Sequence, residues 1–221
     1  MKIKILYEDP NILAIDKPSG ILVHPVERNL PAGRQETILD LFIKQYPKLE
    51  IVHRLDKDTS GVMLLAKNAK AHAFLKKQFA NREIKKIYHA IVSGSIKNDH
   101  GIINKPIGRS PKDFRRWLAG RGARGTLREA ITEYKVLKRF KNFTYLEIKP
   151  KTGRTHQIRV HMKYLNHPVA CDTLYNPGSP CPKGIKRLAL HARSIEFKNL
   201  KGKIIKVESP LPKEFTKLLS D

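Results

Sequence analysis

Apolar residues fall along this chain in short runs separated by turn formers, and most of the runs alternate with the period of a β-strand. Ile3 to Tyr7 and Asn11 to Asp16, joined by Glu8-Asp9-Pro10-Asn11, predict an opening hairpin. Lys17-Pro18-Ser19-Gly20 is a further turn signal, and Ile21 to Pro25 predicts a short strand ended by proline. Helical spacing takes over after a polar stretch from Val26 to Glu36. Thr37 is a plausible N-cap for a helix with Ile38, Leu41 and Phe42 on its apolar face, and Asn68 for one running from Ala69 to Asn81. Lys85 to Gly94 alternates as a strand, with Tyr88, Ala90 and Val92 on one face. Ala130 to Phe140 and Thr144 to Lys149 predict a second hairpin. Thr155 then caps a helix whose Ile158, His161, Met162 and Leu165 share a face. Strands at Leu188 to Phe197 and Ile204 to Val207 and a short helix after Pro212 complete the chain. No repeat or long linker interrupts the pattern, so one domain over residues 1–221 is expected.

The segment from Val52 to Ala66 departs from a simple pattern. A charged cluster, His53-Arg54-Leu55-Asp56-Lys57-Asp58, turns at Thr59-Ser60-Gly61 and enters the apolar run Val62 to Ala66. A polar loop on a buried strand is a rigid place to hold a reactive group. Asp56, flanked by Arg54 and Lys57, is the candidate, since an ionised carboxylate can act as nucleophile or base. Local chemistry alone equally allows a turn-forming aspartate, a core role for Tyr88, and a structural ion pair for Arg159.

Charge narrows the field of partners. Lys and Arg number 44 against 20 Asp and Glu, a formal net charge of +24. Solubility needs far less, and nucleic acid is the first polyanion to consider. The segment Lys105 to Arg128 carries eight of the basic residues, one acidic residue and the sole tryptophan, Trp117. It reads as a glycine-rich loop that orders on RNA through phosphate contact and stacking, with Arg109, Lys112, Arg115 and Arg116 as backbone contacts, or as a solvated insertion. There is no run of about 18 apolar residues and no signal-peptide pattern, so a cytoplasmic protein without membrane attachment is expected. Cys171 and Cys181 lack zinc-site spacing and are expected to be free thiols, with a disulfide between them left open by their spacing.

Three motifs together resemble the RluA-type pseudouridine synthases. They are His53-Arg54-Leu55-Asp56 with Thr59-Ser60-Gly61; Lys86-Ile87-Tyr88 with Ala90 and Gly94; and Gly153-Arg154-Thr155-His156-Gln157-Ile158-Arg159-Val160-His161-Met162, later joined by Leu188-Ala189-Leu190-His191-Ala192. The match runs in order from the Lys17-Pro18-Ser19-Gly20 turn over nearly the whole chain.

The resemblance implies an α+β fold, with a mixed, largely antiparallel sheet flanked by helices and loops around an RNA-binding cleft. It implies isomerisation of uridine to pseudouridine in structured ribosomal or transfer RNA, by a flipped-out base, with no cofactor and no metal. By motif position it makes Asp56 the catalytic aspartate, Arg159 the basic residue that pairs with that aspartate and Tyr88 the active-site tyrosine, with Arg54 assisting base extrusion. His53, Thr59, Gly61, Arg154, His156, Gln157 and Leu190 are then expected to line the substrate site. A stand-alone catalytic domain, monomeric and without a separate N-terminal RNA-binding domain, is the expected organisation. An inactive RNA-binding or ribosome-assembly protein of the same fold is the rival reading.

Overall fold

A computed structural model describes residues 3–24 and 36–220. The loop expected over Val26–Glu36 lies, apart from Glu36, outside the described residues. The chain folds as two compact units, residues 1–85 with 192–210 and residues 86–191 with 211–221.

The first unit opens with strands β1 (Lys4–Glu8) and β2 (Ile12–Lys17), followed by helix α1 (Ile38–Phe42), the short β3 (Glu50–Ile51), β4 (Ser60–Ala66) and helix α2 (Ala69–Ala80). The opening hairpin forms as its pattern predicts. Asp9 closes the turn, its Oδ1 accepting from the backbone N–H groups of Asn11 at 2.8 Å and Ile12 at 2.7 Å. Both predicted caps are present. Thr37 and Asp40 form a reciprocal capping box, and the Asn68 side chain accepts from Ala71 N. The segment Ile21 to Pro25 makes no strand among its described residues, only a bridge from Leu22 to Thr37. Every residue of β4 is buried, as expected of a strand covered on both faces.

The second unit begins within β5 (Lys85–Ser93) and continues through β6 (His100–Asn104), β7 (Ile107–Arg109), β8 (Trp117–Ala119), β9 (Arg124–Arg128), β10 (Ile131–Arg139), β11 (Phe143–Pro150) and helix α3 (Gln157–Tyr164). Strand order is β5-β11-β10-β6, with the three pairings antiparallel, and the hairpin of β10 and β11 confirms the predicted alternation. The core beneath includes Ala90, Leu146, Ile148, Ile158 and Met162. The basic segment is no solvated loop: β7, β8 and β9 make an antiparallel sheet in the order β8-β7-β9. Its apolar residues Ile107, Trp117 and Ala119 pack with Val160 of α3 and with Tyr175. Charge density hid those few inward positions from the sequence pattern.

Strand β12 (Leu190–Lys198) starts in the second unit and continues into the first, where it neighbours β4 and pairs with β13 (Ile204–Glu208). Helix α4 (Lys213–Ser220) returns to the second unit and buries Phe215. The expectation of free thiols is corrected, since Cys171 and Cys181 are bonded, with their Cα atoms 5.3 Å apart. No described helix is long and apolar enough to cross a membrane.

Candidate active site

In the first unit the loop carrying Asp56 is held by its backbone. Lys17 is fully buried at the end of β2, and its Nζ donates to the carbonyls of Pro18 at 2.9 Å, Ile21 at 2.9 Å and Lys57 at 2.8 Å. Gly20 N also donates to Lys57 O, and Ser19 Oγ to Asp58 O at 2.7 Å. The turn from Lys17 to Gly20 thus grips residues 57 and 58, and Thr59 N closes the loop onto Asp56 O at 3.1 Å. An ammonium committed to carbonyls makes a stiff three-way bracket. These bonds of the clamp all end on main-chain carbonyls. The Lys17-Pro18-Ser19-Gly20 turn was visible in the sequence, but the buried lysine was not, because its acceptors include a residue forty positions away.

The flanking motif residues divide by burial. His53 braces the strand beside the loop, its Nε2 accepting from Leu64 N at 2.9 Å and its ring lying 4.8 Å from that of Phe79. Thr59 and Gly61 are buried. Gly61 has φ +112°, and a Cβ there would stand 2.2 Å from the carbonyl oxygen of Ala192 on β12, so only glycine fits this close strand approach. Arg54 is exposed, its Nη1 reaching to 3.4 Å from His24 Nε2. Burial, and after it the Arg54 cation, holds His24 below the usual imidazole range and so favours the neutral acceptor form.

In the second unit, Tyr88 is half-buried on β5 opposite Ile148 and packs against the core, sharing its strand face with Lys86. Helix α3 starts one residue later than expected. Its N-cap is His156, in a left-handed conformation with φ 55° and no side-chain cap bond; its Nδ1 lies 3.0 Å from Tyr175 Oη. Four bonds of the Gln157 amide are made inside the protein. Oε1 accepts from Thr152 Oγ1 at 2.7 Å and Arg154 N at 2.9 Å, while Nε2 donates to Ile131 O and Thr132 Oγ1, each at 3.0 Å. That amide therefore fixes the entry to α3, whatever else it touches. Arg154 donates from Nε to Glu129 O at 2.9 Å, and Leu190 is buried at the start of β12.

Arg159 is locked from one side. Its Nε and Nη2 donate to Asp172 Oδ2 at 2.7 Å and Oδ1 at 2.9 Å, with side-chain exposures of 8% and 0% for the pair. Asp172 Oδ1 accepts in addition from Leu174 N and Tyr175 N, and the guanidinium lies 5.1 Å from the Tyr175 ring centroid. Sequence reasoning missed both Asp172 and Tyr175. They lie in the proline- and glycine-rich stretch after α3, where no periodicity marks a partner. Tyr175 also ties α3 to the basic sheet, its Oη accepting from Trp117 N at 2.9 Å.

The four expected RNA-backbone contacts sit on or beside β7 and β8. Arg109 stacks 4.3 Å over Trp117 and donates to Phe114 O. Arg115 makes two side-chain bonds to Asp113, and Arg116 approaches the same carboxylate at 3.5 Å; Arg115 first, then Arg116, hold the Asp113 carboxyl down at about 2. Lys112 is exposed. The site residues thus fall in two groups: Arg54, His53, Asp56, Thr59 and Gly61 in the first unit, and Tyr88, Arg154, His156, Gln157, Arg159, Leu190 and the basic sheet in the second.

Comparison with known proteins bears on both groups. Residues 11–164 match the RNA pseudouridylate synthase family. The uncharacterized RNA pseudouridine synthase YlyB of Bacillus subtilis is 39% identical over 227 residues, covering 100% of this chain and 73% of that protein. Ribosomal large subunit pseudouridine synthase D of Xanthomonas campestris is 38% identical, covering 99% and 69%. Among solved structures, human RNA pseudouridylate synthase domain containing 1 superposes with a TM-score of 0.81 at 26% identity, over 96% of this chain and 84% of that one. Human RNA pseudouridylate synthase domain containing 4 gives 0.78 at 27% identity, over 98% and 91%.

Proposed function

The chain belongs to the RNA pseudouridylate synthase family and is an RNA pseudouridine synthase, and on that premise we propose that it isomerises specific uridines of ribosomal RNA with Asp56 as its reactive carboxylate. The observation that carries the reading is the bracket at Lys17, which grips the backbone beside Asp56 and so fixes the place from which its side chain projects. Ribosomal RNA as substrate is supported by the name of the Xanthomonas relative.

The reaction breaks the bond from ribose to N1 of uracil, turns the freed ring and joins ribose to C5, whose proton leaves. Attack on the ribose, addition to the uracil ring and removal of a ribose proton all draw on the same side chain, Asp56. Arg159, already oriented by Asp172, serves as the cation that aligns this carboxylate. Tyr88 stacks on the base and takes part in removing the C5 proton. The target must leave its stack first, at a cost of a few kcal/mol that is least in loops, and the exposed Arg54 fills the space it vacates. The sheet of β7 to β9 holds RNA backbone, with Arg109 and Lys112 contributing more than Arg115 and Arg116, whose charge Asp113 partly offsets.

The test is direct. Purified protein is incubated with total RNA from a strain lacking the gene, and new pseudouridines are mapped by carbodiimide labelling and mass spectrometry. New sites in ribosomal RNA are expected; new sites confined to transfer RNA would overturn the substrate, and none at all would leave only the inactive RNA-binding reading. Asp56→Asn protein should bind the same RNA with activity reduced at least about a thousandfold, as befits loss of a covalent or proton-transfer group. Activity near wild type would remove Asp56 from its role.

A further inference from the structure

Lys86 is a cation that the fold leaves poorly satisfied. It is half-buried on β5, makes no ion pair among the described residues, and its Nζ has one hydrogen bond, to Thr152 O at 3.2 Å. Burial pushes its pKa down to about 8. Partly withdrawing an ammonium from water for a single long bond costs hydration that this bond replaces only in part. Gly153 stands beside it without a side chain; a Cβ there would lie 3.9 Å from Nζ. Because Lys86 and Tyr88 are two residues apart on one strand face, their Cα atoms are about 7 Å apart. That is close to the reach of one nucleotide from its base to its phosphate.

We propose that Lys86, with the open space over Gly153, is a phosphate-binding subsite for the nucleotide whose base meets Tyr88. This rests on the uridine-isomerising reading above. The phosphate completes the bonding of the ammonium, and its position sets how far along the RNA the target base enters. In the sequence Lys86 stands in the Lys86-Ile87-Tyr88 motif without a role of its own; its burial without a carboxylate supplies one.

The test uses the full chain in the Asp56→Asn background and a synthetic RNA hairpin from large-subunit ribosomal RNA with a uridine in its loop, bound at several salt concentrations. Lys86→Met should weaken binding about tenfold and lower the slope of log K against log salt by about 0.7 to 0.9, the signature of one lost phosphate contact. Lys86→Arg should restore most of both. Lys85→Met, at a neighbouring lysine that is 77% exposed and paired with Glu196, should change affinity less than twofold. A folded Lys86→Met protein with the parent's affinity and slope would overturn the subsite. Should Lys86→Met fail to fold, Gly153→Val decides: it keeps the ammonium and fills the space, so weaker binding supports the subsite and unchanged binding overturns it. Binding is read without turnover, so absence of pseudouridine formation by the wild type would sink the functional reading separately.

Discussion

At the scale of single residues, the site depends on groups whose roles come from packing. Gly61 is the sharpest case. Its positive φ and the Ala192 backbone against it exclude any side chain, so Gly61→Ala must push β4 and β12 away from each other. A loss of about 3 kcal/mol or more is expected by chemical denaturation, in line with combined backbone strain and overpacking, and a loss under about 1 kcal/mol would mean the strands can separate cheaply there. Asp172 is the second case. Asp172→Asn removes the bidentate counter-charge from the buried Arg159 guanidinium, which should cost about 3 kcal/mol in stability. It should also lower the rate of pseudouridine formation, since Arg159 would no longer be held in one orientation. A variant as stable and active as wild type would show that Arg159 is positioned by something else.

At the scale of elements, the entry to α3 is a network with a sign in its pH dependence. His161 is buried on α3; its Nε2 donates to Lys105 O at 3.0 Å, so Nδ1 is the acceptor for Thr132 Oγ1 at 2.9 Å. Burial lowers its pKa, and the Lys105 carbonyl only partly opposes this. The unfolded chain therefore takes up the proton at higher pH than the folded one. The contribution of His161 is fully present above about pH 6.5 and is lost as pH falls below that value toward the lowered one. His24 adds in the same direction. The melting temperature should drop between about pH 6.5 and 5, and His161→Gln should flatten that drop; a profile identical in the variant would remove His161 as a cause. The elements themselves were largely legible. The caps at Thr37 and Asn68 and the two hairpins depend on neighbours in sequence, so local patterns report them faithfully. The cap of α3 was misplaced by one residue because His156 adopts a left-handed conformation beside Tyr175, a contact from outside the local sequence.

At the scale of the whole molecule, the excess of 44 Lys and Arg over 20 Asp and Glu gives the affinity for RNA a steep salt dependence. Binding to a ribosomal RNA hairpin should fall by about a thousandfold between about 50 and 200 mM salt if six or more phosphates are engaged. A change of only twofold would assign the charge to some other purpose. Membership of the family was legible from three short motifs and their order, because the reaction needs particular side chains at fixed places on strands and a helix entry. Local patterns and motifs therefore suffice for the family, the hairpins, two of the helix caps, and Asp56, Tyr88 and Arg159 as candidates. It takes the folded chain to show that Lys17 clamps the Asp56 loop, that Ala192 makes Gly61 obligatory, that Asp172 holds Arg159, and that a basic stretch folds as a sheet on α3. The reason is separation along the chain: each of these rests on a partner that no local period reaches, and burial acquires meaning only when the partner is in place.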